Sequence, residues 1–386
     1  MPALRPPLEL KIQEPSPPMD DAGGDILASL GRVRLGDLAA VEGIASDSYR
    51  ICVSTLMQSL AQFSAAIIQL PPADAALLRS GLDSARLFFH QRGYDSGEVA
   101  RSEDDAREWC KTSGYYADPQ TWLEMYDYRP GITGTEQNGA MELPPSGLPD
   151  IFSVLGKVCR DILDAISFSL NLRTCEFTEI LDNMPLRGQE VSSSVLSACC
   201  HSRPSFQGAQ QHRVASPDGG QLLMFPDQEQ QIDKTLLTLV KSDRSGLYIK
   251  DLHGRWILVD GDLGPHDIVV YPGLALYQET TGYVNPAAHK TEVGNLQGCR
   301  FGRCSLAFKL TPRSVPRMSG SEMGAAGHGV DTQFQVPMPV TDFMHTHHSA
   351  DQLFHKNDES SSQAEQDGIS LCKSGYALTC QGWPVL

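Results

Sequence analysis

Residues 236–272 read "LLTLVKSDRSGLYIKDLHGRWILVDGDLGPHDIVVYP". Short apolar runs (LLTLV, LYIK, WILV, DIVVYP) alternate in it with Gly, Asp and Pro. Runs this short, punctuated this often, describe strands of a sandwich or jelly roll rather than helices. Within the stretch, "LYIKDLHGRWILV" has the form of a hairpin with His253-Gly254 in its turn. The same texture extends in both directions, through "SSVLSACCHS", "GGQLLMFP", "LALYQET" and "RCSLAFKL". A β-rich core over 191–311 is therefore expected.

The preceding part, 26–190, reads as mainly helical and packed on that core. "DSYRICVSTLMQSLAQF" puts Ile51, Leu56, Leu60 and Phe63 at near-helical spacing, and "SAAIIQLPP" reads as a short buried strand closed by prolines. Leu78, Leu82, Ala85 and Phe89 form one helical stripe, and Ile151, Leu155, Val158, Ile162 and Ile166 form another. Residues 1–25 are Pro-rich and expected to be disordered. Beyond Pro312 the chain turns Ser-, Gly-, His- and Gln-rich, and 312–386 is expected to be a polar, disordered tail that could meet a protein partner. Its histidines His345, His347, His348 and His355 read as part of that tail rather than as a metal site.

The balance of charges narrows the partners. In 386 residues, 41% are hydrophobic and 20% charged, which allows a sizeable core. The formal net charge is −16, so nucleic-acid and membrane-surface binding are not expected. No apolar run is long enough to span a bilayer, and the opening segment lacks the order of a signal peptide. The ten cysteines include no C-x-x-C pair, and there is no N-x-S/T sequon. A cytoplasmic protein with reduced thiols is the expectation. The G-x-S-x-G, G-x-x-x-x-G-K-[ST] and H-E-x-x-H motifs are also absent.

What remains is a constellation in order along the chain. Asp233 stands two residues after Gln231 and directly before "KTLLTLV". His289 follows in "TGYVNPAAHKTE". Arg303 and Ser305 lie on one face of the strand "RCSLAFKL", because alternate residues share a face. A carboxylate and an imidazole on adjacent inner strands can share a divalent metal. An Arg–Ser pair deeper in the same barrel can grip the far carboxylate of a dicarboxylic cosubstrate. Taken singly, Asp233 also reads as a turn or cap residue, His289 as a satisfied polar residue and Arg303 as a surface arginine.

With these residues in view, the chain resembles the plant-type Fe(II)/2-oxoglutarate-dependent dioxygenases, the isopenicillin N synthase-like group, over roughly residues 31–311. "SAAIIQLPPADAALLRSGLDSARLFF" is similar to that group's N-terminal strand and helix. "WLEMYDYRPG" resembles the lead into its core, and the run from "LLTLV" to "NPAAHK" resembles its central barrel. The resemblance implies an α+β protein: a double-stranded β-helix (jelly roll) core with flanking N-terminal helices. It also implies Fe(II) and 2-oxoglutarate, with hydroxylation or oxidation of a small organic molecule and release of succinate. Carried over by residue, Asp233 and His289 are the carboxylate and distal imidazole of a facial triad, and Arg303 and Ser305 are the cosubstrate clamp.

Two departures accompany the resemblance. Where the group has its first metal-ligand histidine, this chain has Gln231, whose carboxamide is a weaker, neutral donor on a more flexible stem. Where the group's cosubstrate strand carries Asn and Tyr, "VLSACCHSRP" offers Cys199 and His201. Two functions stay open: an oxygenase with an altered iron shell, using Gln231 or a surrogate such as His201 or His212, and a catalytically impaired protein that keeps the barrel as a binding or interaction module.

Overall fold

The computed structural model describes residues 30–39, 45–92, 113–118, 123–132, 144–173, 176–183, 185–187, 190–201, 231–292, 302–313, 317–318 and 320–346. In chain order the elements are β1 (Arg32–Arg34), α1 (Leu35–Leu38), α2 (Asp47–Phe63), β2 (Ala66–Gln69), α3 (Pro72–Arg92), β3 (Gly114–Asp118), β4 (Leu123–Tyr128), α4 (Leu148–Ser169), β5 (Val195–His201), β6 (Gln231–Ile232), β7 (Leu237–Ser242), β8 (Leu247–Lys250), β9 (Trp256–Leu258) and β10 (Asp267–Pro272). There follow α5 (Leu274–Glu279), β11 (Ala288–Thr291), β12 (Arg303–Leu310), β13 (Arg317–Met318), α6 (Ser321–Ala325), β14 (Met338–Pro339) and α7 (Val340–Thr346).

Among the described residues, eight strands form one sheet in the order β1-β2-β10-β7-β12-β5-β4-β3, and four form a second in the order β6-β11-β8-β9. The architecture is mixed α+β, as expected. Alternation along each strand divides the apolar residues between two cores. One face of the large sheet (Leu196, Ala198, Leu239, Ile268, Leu306, Phe308) packs on α2, α3 and α4. Phe152 of α4 meets Phe308 edge-on, with ring centroids 5.0 Å apart. The other face packs on the small sheet, joining Val240, Val269 and Tyr271 to Leu247, Ile249 and Ile257. The two sheets thus lie face to face, with a smaller core between them.

The helices form where caps and stripes coincide. Ser46 caps α2 by accepting from the Tyr49 N–H at 3.2 Å, and Ser64 ends it in the left-handed conformation, with φ +51°. The expected stripes on α3 and α4 are buried at every position named from sequence. On α2 the stripe is Tyr49, Val53, Leu56 and Leu60, and Ile51 lies outside it, 66% exposed. Two residues from Tyr49 is about 200° around a helix, which turns Ile51 to solvent.

Three expectations need correction. "LALYQET" forms the helix α5, not a strand; Leu274, Ala275 and Leu276 are all buried, and a continuous apolar run has no period to separate the two forms. The stretch 26–190 holds more strand than expected: the strand read in "SAAIIQLPP" is β2, and β1, β3 and β4 extend the large sheet further at its two ends. Nor is 312–386 a polar tail throughout. Met318, Met323, Val340 and Phe343 are buried in the helix-side core, and His328 Nε2 lies 2.7 Å from the Leu170 carbonyl. Met318 and Met323 stand among Gly and Ser, and Val340 and Phe343 span a single helical turn, so the periodic signal is short, yet tertiary packing seats them. The expectations for 1–25, "GGQLLMFP", His212 and the histidines beyond 346 fall outside the described residues; the hairpin turn at Gly254, φ +75°, is as read from sequence.

Candidate functional site

The pocket face of the large sheet can be read off its registers. On β12 the alternation places Arg303, Ser305, Ala307 and Lys309 on one side. Their cross-strand partners are His201, Cys199, Ser197 and Val195 of β5, and, for Ser305 to Lys309, Ser242, Val240 and Thr238 of β7. Val240 and Ala307 belong to the core between the sheets, so this face looks toward the small sheet. From that side β11 pairs with β6, setting His289 directly opposite Gln231. The expected acid, imidazole and guanidinium therefore converge on the space between the sheets.

Asp233 follows β6, and its main chain is locked to the start of α5, where Leu274 N–H donates to the Asp233 carbonyl at 2.8 Å. Gly273 allows this approach, because a Cβ there would stand 2.7 Å from that carbonyl and 2.4 Å from the carbonyl of Thr235. The Asp233 carboxylate is already engaged. Oδ1 accepts from Lys309 Nζ at 2.7 Å, and Oδ2 accepts from Thr238 Oγ1 at 2.8 Å and from the Tyr271 hydroxyl at 3.2 Å. Burial alone would raise its pKa, but Lys309, then His289, then the hydrogen bonds from Lys309 and Thr238 hold it well below the usual carboxylate range. Lys309 shows the converse. Burial pulls it down, and Asp233, with Cys199 and Asp127 behind it, holds it above the ordinary lysine value.

His289 is buried, and its ring lies 5.0 Å from that of Tyr271. Nδ1 is 3.4 Å from the Ala287 carbonyl, which can only accept, so Nδ1 carries the proton and Nε2 keeps a lone pair. Burial, reinforced by Lys309, lowers its pKa against the pull of Asp233. Gln231, in contrast, is exposed.

At the other end of β12, Arg303 is 2% and Asp260 0% exposed along the side chain, and Nη2 donates to Asp260 Oδ2 at 2.8 Å. Nε donates to the Arg244 carbonyl at 3.1 Å, and Nη1 to Ser305 Oγ at 3.3 Å. Asp260 in turn accepts from Ser242 Oγ and from the N–H groups of Gly246 and Leu247. Beside this pair, burial and then Arg303 push His201 down to about 3, and its buried Nδ1 has no hydrogen-bond partner among the described residues. Burial and then Asp127 push the Cys199 thiol up to about 12, which leaves it inert as a nucleophile.

These residues do not fit a divalent ion as they stand. The carboxylate that would bind it holds an ammonium, the residue opposite His289 is an exposed amide, and His201 sits next to Arg303. Among the described residues no group of three or more His, Cys, Asp or Glu is placed to hold a metal. A dication about 4 Å from the Lys309 ammonium would be repelled by about 4 kcal/mol per unit of charge, even at an effective dielectric near 20. Lys309, Asp260, Tyr271, Thr238 and Asp127 are the site residues that sequence reasoning missed. For Lys309 the signal was present in the parity of R-x-S-x-x-x-K.

Comparison with solved structures is informative about the fold. A Neurospora crassa protein crystallised with alpha-KG and 5-formyluracil matches with TM-score 0.56 and 13% identity, over 82% of this chain and 96% of that one. A rice dioxygenase for auxin oxidation matches with TM-score 0.51 and 14% identity, over 86% and 96%. JOX2, crystallised with 2OG, Fe and JA, matches with TM-score 0.54 and 16% identity, over 82% and 85%. No family model matches the chain, and no curated protein matches it. No described helix is long and apolar enough to cross a membrane. The chain has the fold seen in 2OG-Fe(II) oxygenases.

Proposed function

We propose that this chain is an oxygenase-like protein, its two sheets forming the double-stranded β-helix of the plant-type group, in which the metal corner is catalytically impaired and the barrel serves as a binding module for a small organic molecule. The observation that carries the reading is the Asp233 carboxylate, which accepts from the Lys309 ammonium, Thr238 and Tyr271. Gln231 adds to it, since even disturbing a residue that supports a metal ligand costs about 10–100-fold in affinity or activity. No catalytic step through iron is assigned to this arrangement.

A second reading, an active oxygenase, draws support from the convergence of Asp233, His289, Arg303 and Ser305 on one space. In that reading Fe(II) would sit on Asp233 and His289, with Gln231 or His201 completing the shell, and Arg303 and Ser305 would hold 2-oxoglutarate. The test is an anaerobic Fe(II) titration of the full chain, followed by succinate measurement with 2-oxoglutarate and oxygen. Absence of iron binding at micromolar metal and of succinate above background is expected. Stoichiometric iron binding with succinate release would overturn the proposal in favour of the second reading.

A further inference from the structure

We infer that Lys309, and not the missing imidazole at position 231, is what closes this pocket to a divalent ion: its ammonium serves as the built-in cation of the Asp233 corner. The inference rests on the impaired-oxygenase reading and goes further, because it names the residue responsible. Lys309 lies on the same face of β12 as Arg303 and Ser305, two residues beyond Ala307 in the inter-sheet core. Its Nζ stands 2.7 Å from Asp233 Oδ1; the Lys309 side chain is 36% exposed and that of Asp233 9%. Asp127, 5% exposed and paired across the strands with Ser197, adds a weaker negative charge to the surroundings of the same ammonium. Buried carboxylates must be paired, and here the chain provides the pairing itself. An imidazole added at position 231 would face a position whose positive charge is already present.

The prediction separates the two residues. Co(II) is the probe, read by its visible ligand-field absorbance, with the full chain as parent and Gln231→His, Lys309→Met, Lys309→Arg and Gln231→His/Lys309→Met as variants. Parent, Gln231→His and Lys309→Arg are expected to show no Co(II) spectrum at micromolar metal. Lys309→Met is expected to gain weak binding, and the double variant to bind about 10–100-fold more tightly than Lys309→Met, the range that ligand-shell changes span. Far-UV circular dichroism checks that each variant is folded, and Lys309→Gln replaces Lys309→Met if the latter is not.

Binding by Gln231→His alone, as tight as that of the double variant, would overturn the role of Lys309 and leave the impaired-oxygenase reading intact. Equal binding by Lys309→Arg and Lys309→Met would also overturn it, since charge would then be irrelevant. Failure of the folded double variant to bind would overturn it as well. Binding by the parent itself would instead overturn the reading on which the inference rests.

Discussion

Breaking the pair between Arg303 and Asp260 should cost more stability than any surface change, and the cost should be shared between the two residues rather than additive. Asp260 accepts four hydrogen bonds, from Gly246 N, Leu247 N, Ser242 Oγ and Arg303 Nη2, at 2.8 to 2.9 Å. Asp260→Ala leaves a buried guanidinium without its counter-charge, and removing one partner of a buried pair costs about 3–5 kcal/mol. It also strands donors worth about 1–3 kcal/mol each when unsatisfied. A loss of about 5 kcal/mol, close to the whole stability of a marginal domain, is the expectation.

Asp260→Asn and Arg303→Met are the measurable forms of the perturbation. Arg303→Met leaves the carboxylate its two backbone N–H groups and Ser242, so about 3 kcal/mol is expected. The double variant should then lose less than the sum of the singles, with a coupling of about 2 kcal/mol, inside the range found for groups in one network. Urea unfolding at pH 7, followed by tryptophan fluorescence, gives these values from midpoints and slopes. The same assay with 2-oxoglutarate should show no stabilisation, because the guanidinium is already satisfied from within. Additivity within about 0.5 kcal/mol would refute the reasoning. So would a ligand-induced gain near 2.7 kcal/mol, the value at a hundredfold excess over the dissociation constant.

Two further outcomes follow from the same geometry. His201 is held neutral down to about pH 3, below the ordinary histidine value, so the unfolded chain takes up the proton first as pH falls. Stability should therefore drop by up to about 1.4 kcal/mol per unit between about pH 6 and pH 3, and His201→Gln should flatten that slope in urea midpoints measured across the range. Phe343, 1% exposed in the helix-side core, ties the segment after β12 to the body, and Phe343→Ala should cost about 3–5 kcal/mol in the same unfolding assay. A change under 1 kcal/mol would mean that this segment docks without contributing to the fold.

The sequence made the fold legible wherever period and punctuation agreed. Helices α3 and α4 declared their buried stripes, and β7, β8, β9 and β10 were bounded by Gly, Asp and Pro. It was less informative where burial came from partners far along the chain. α5 carries a continuous apolar run, which says buried but not helical. Met318 has no apolar neighbours in sequence to mark it, and Val340, Phe343 and Met344 make only one helical turn's worth of pattern. Strand β4 lies in a region of helical texture and is defined by pairing with β5, about 70 residues away in the Asp127–Ser197 register, and β3 pairs in turn with β4. Local propensity carries no record of such pairings.

The candidate site was legible in position, while its meaning stayed open. Asp233, His289, Arg303 and Ser305 in order are compatible with an oxygenase and with a barrel kept as a binding module. The structure gives two of them a side-chain counter-charge. Asp233 neutralises Lys309 and accepts from Thr238 and Tyr271, and Arg303 neutralises Asp260, which in turn fixes the turn between β7 and β8 through Gly246 and Leu247. Buried charge in a protein must be paired. A catalytic carboxylate therefore implies a cation, and the sequence leaves open whether that cation is a metal or a side chain. Each charge on the pocket face needs a partner, and among the described residues Lys309 and Arg303 are paired with Asp233 and Asp260. An Asp and a distant His in register locate the pocket. The parity of Lys309 with Arg303 on the same strand is what bears on whether the pocket still has a vacancy for a metal.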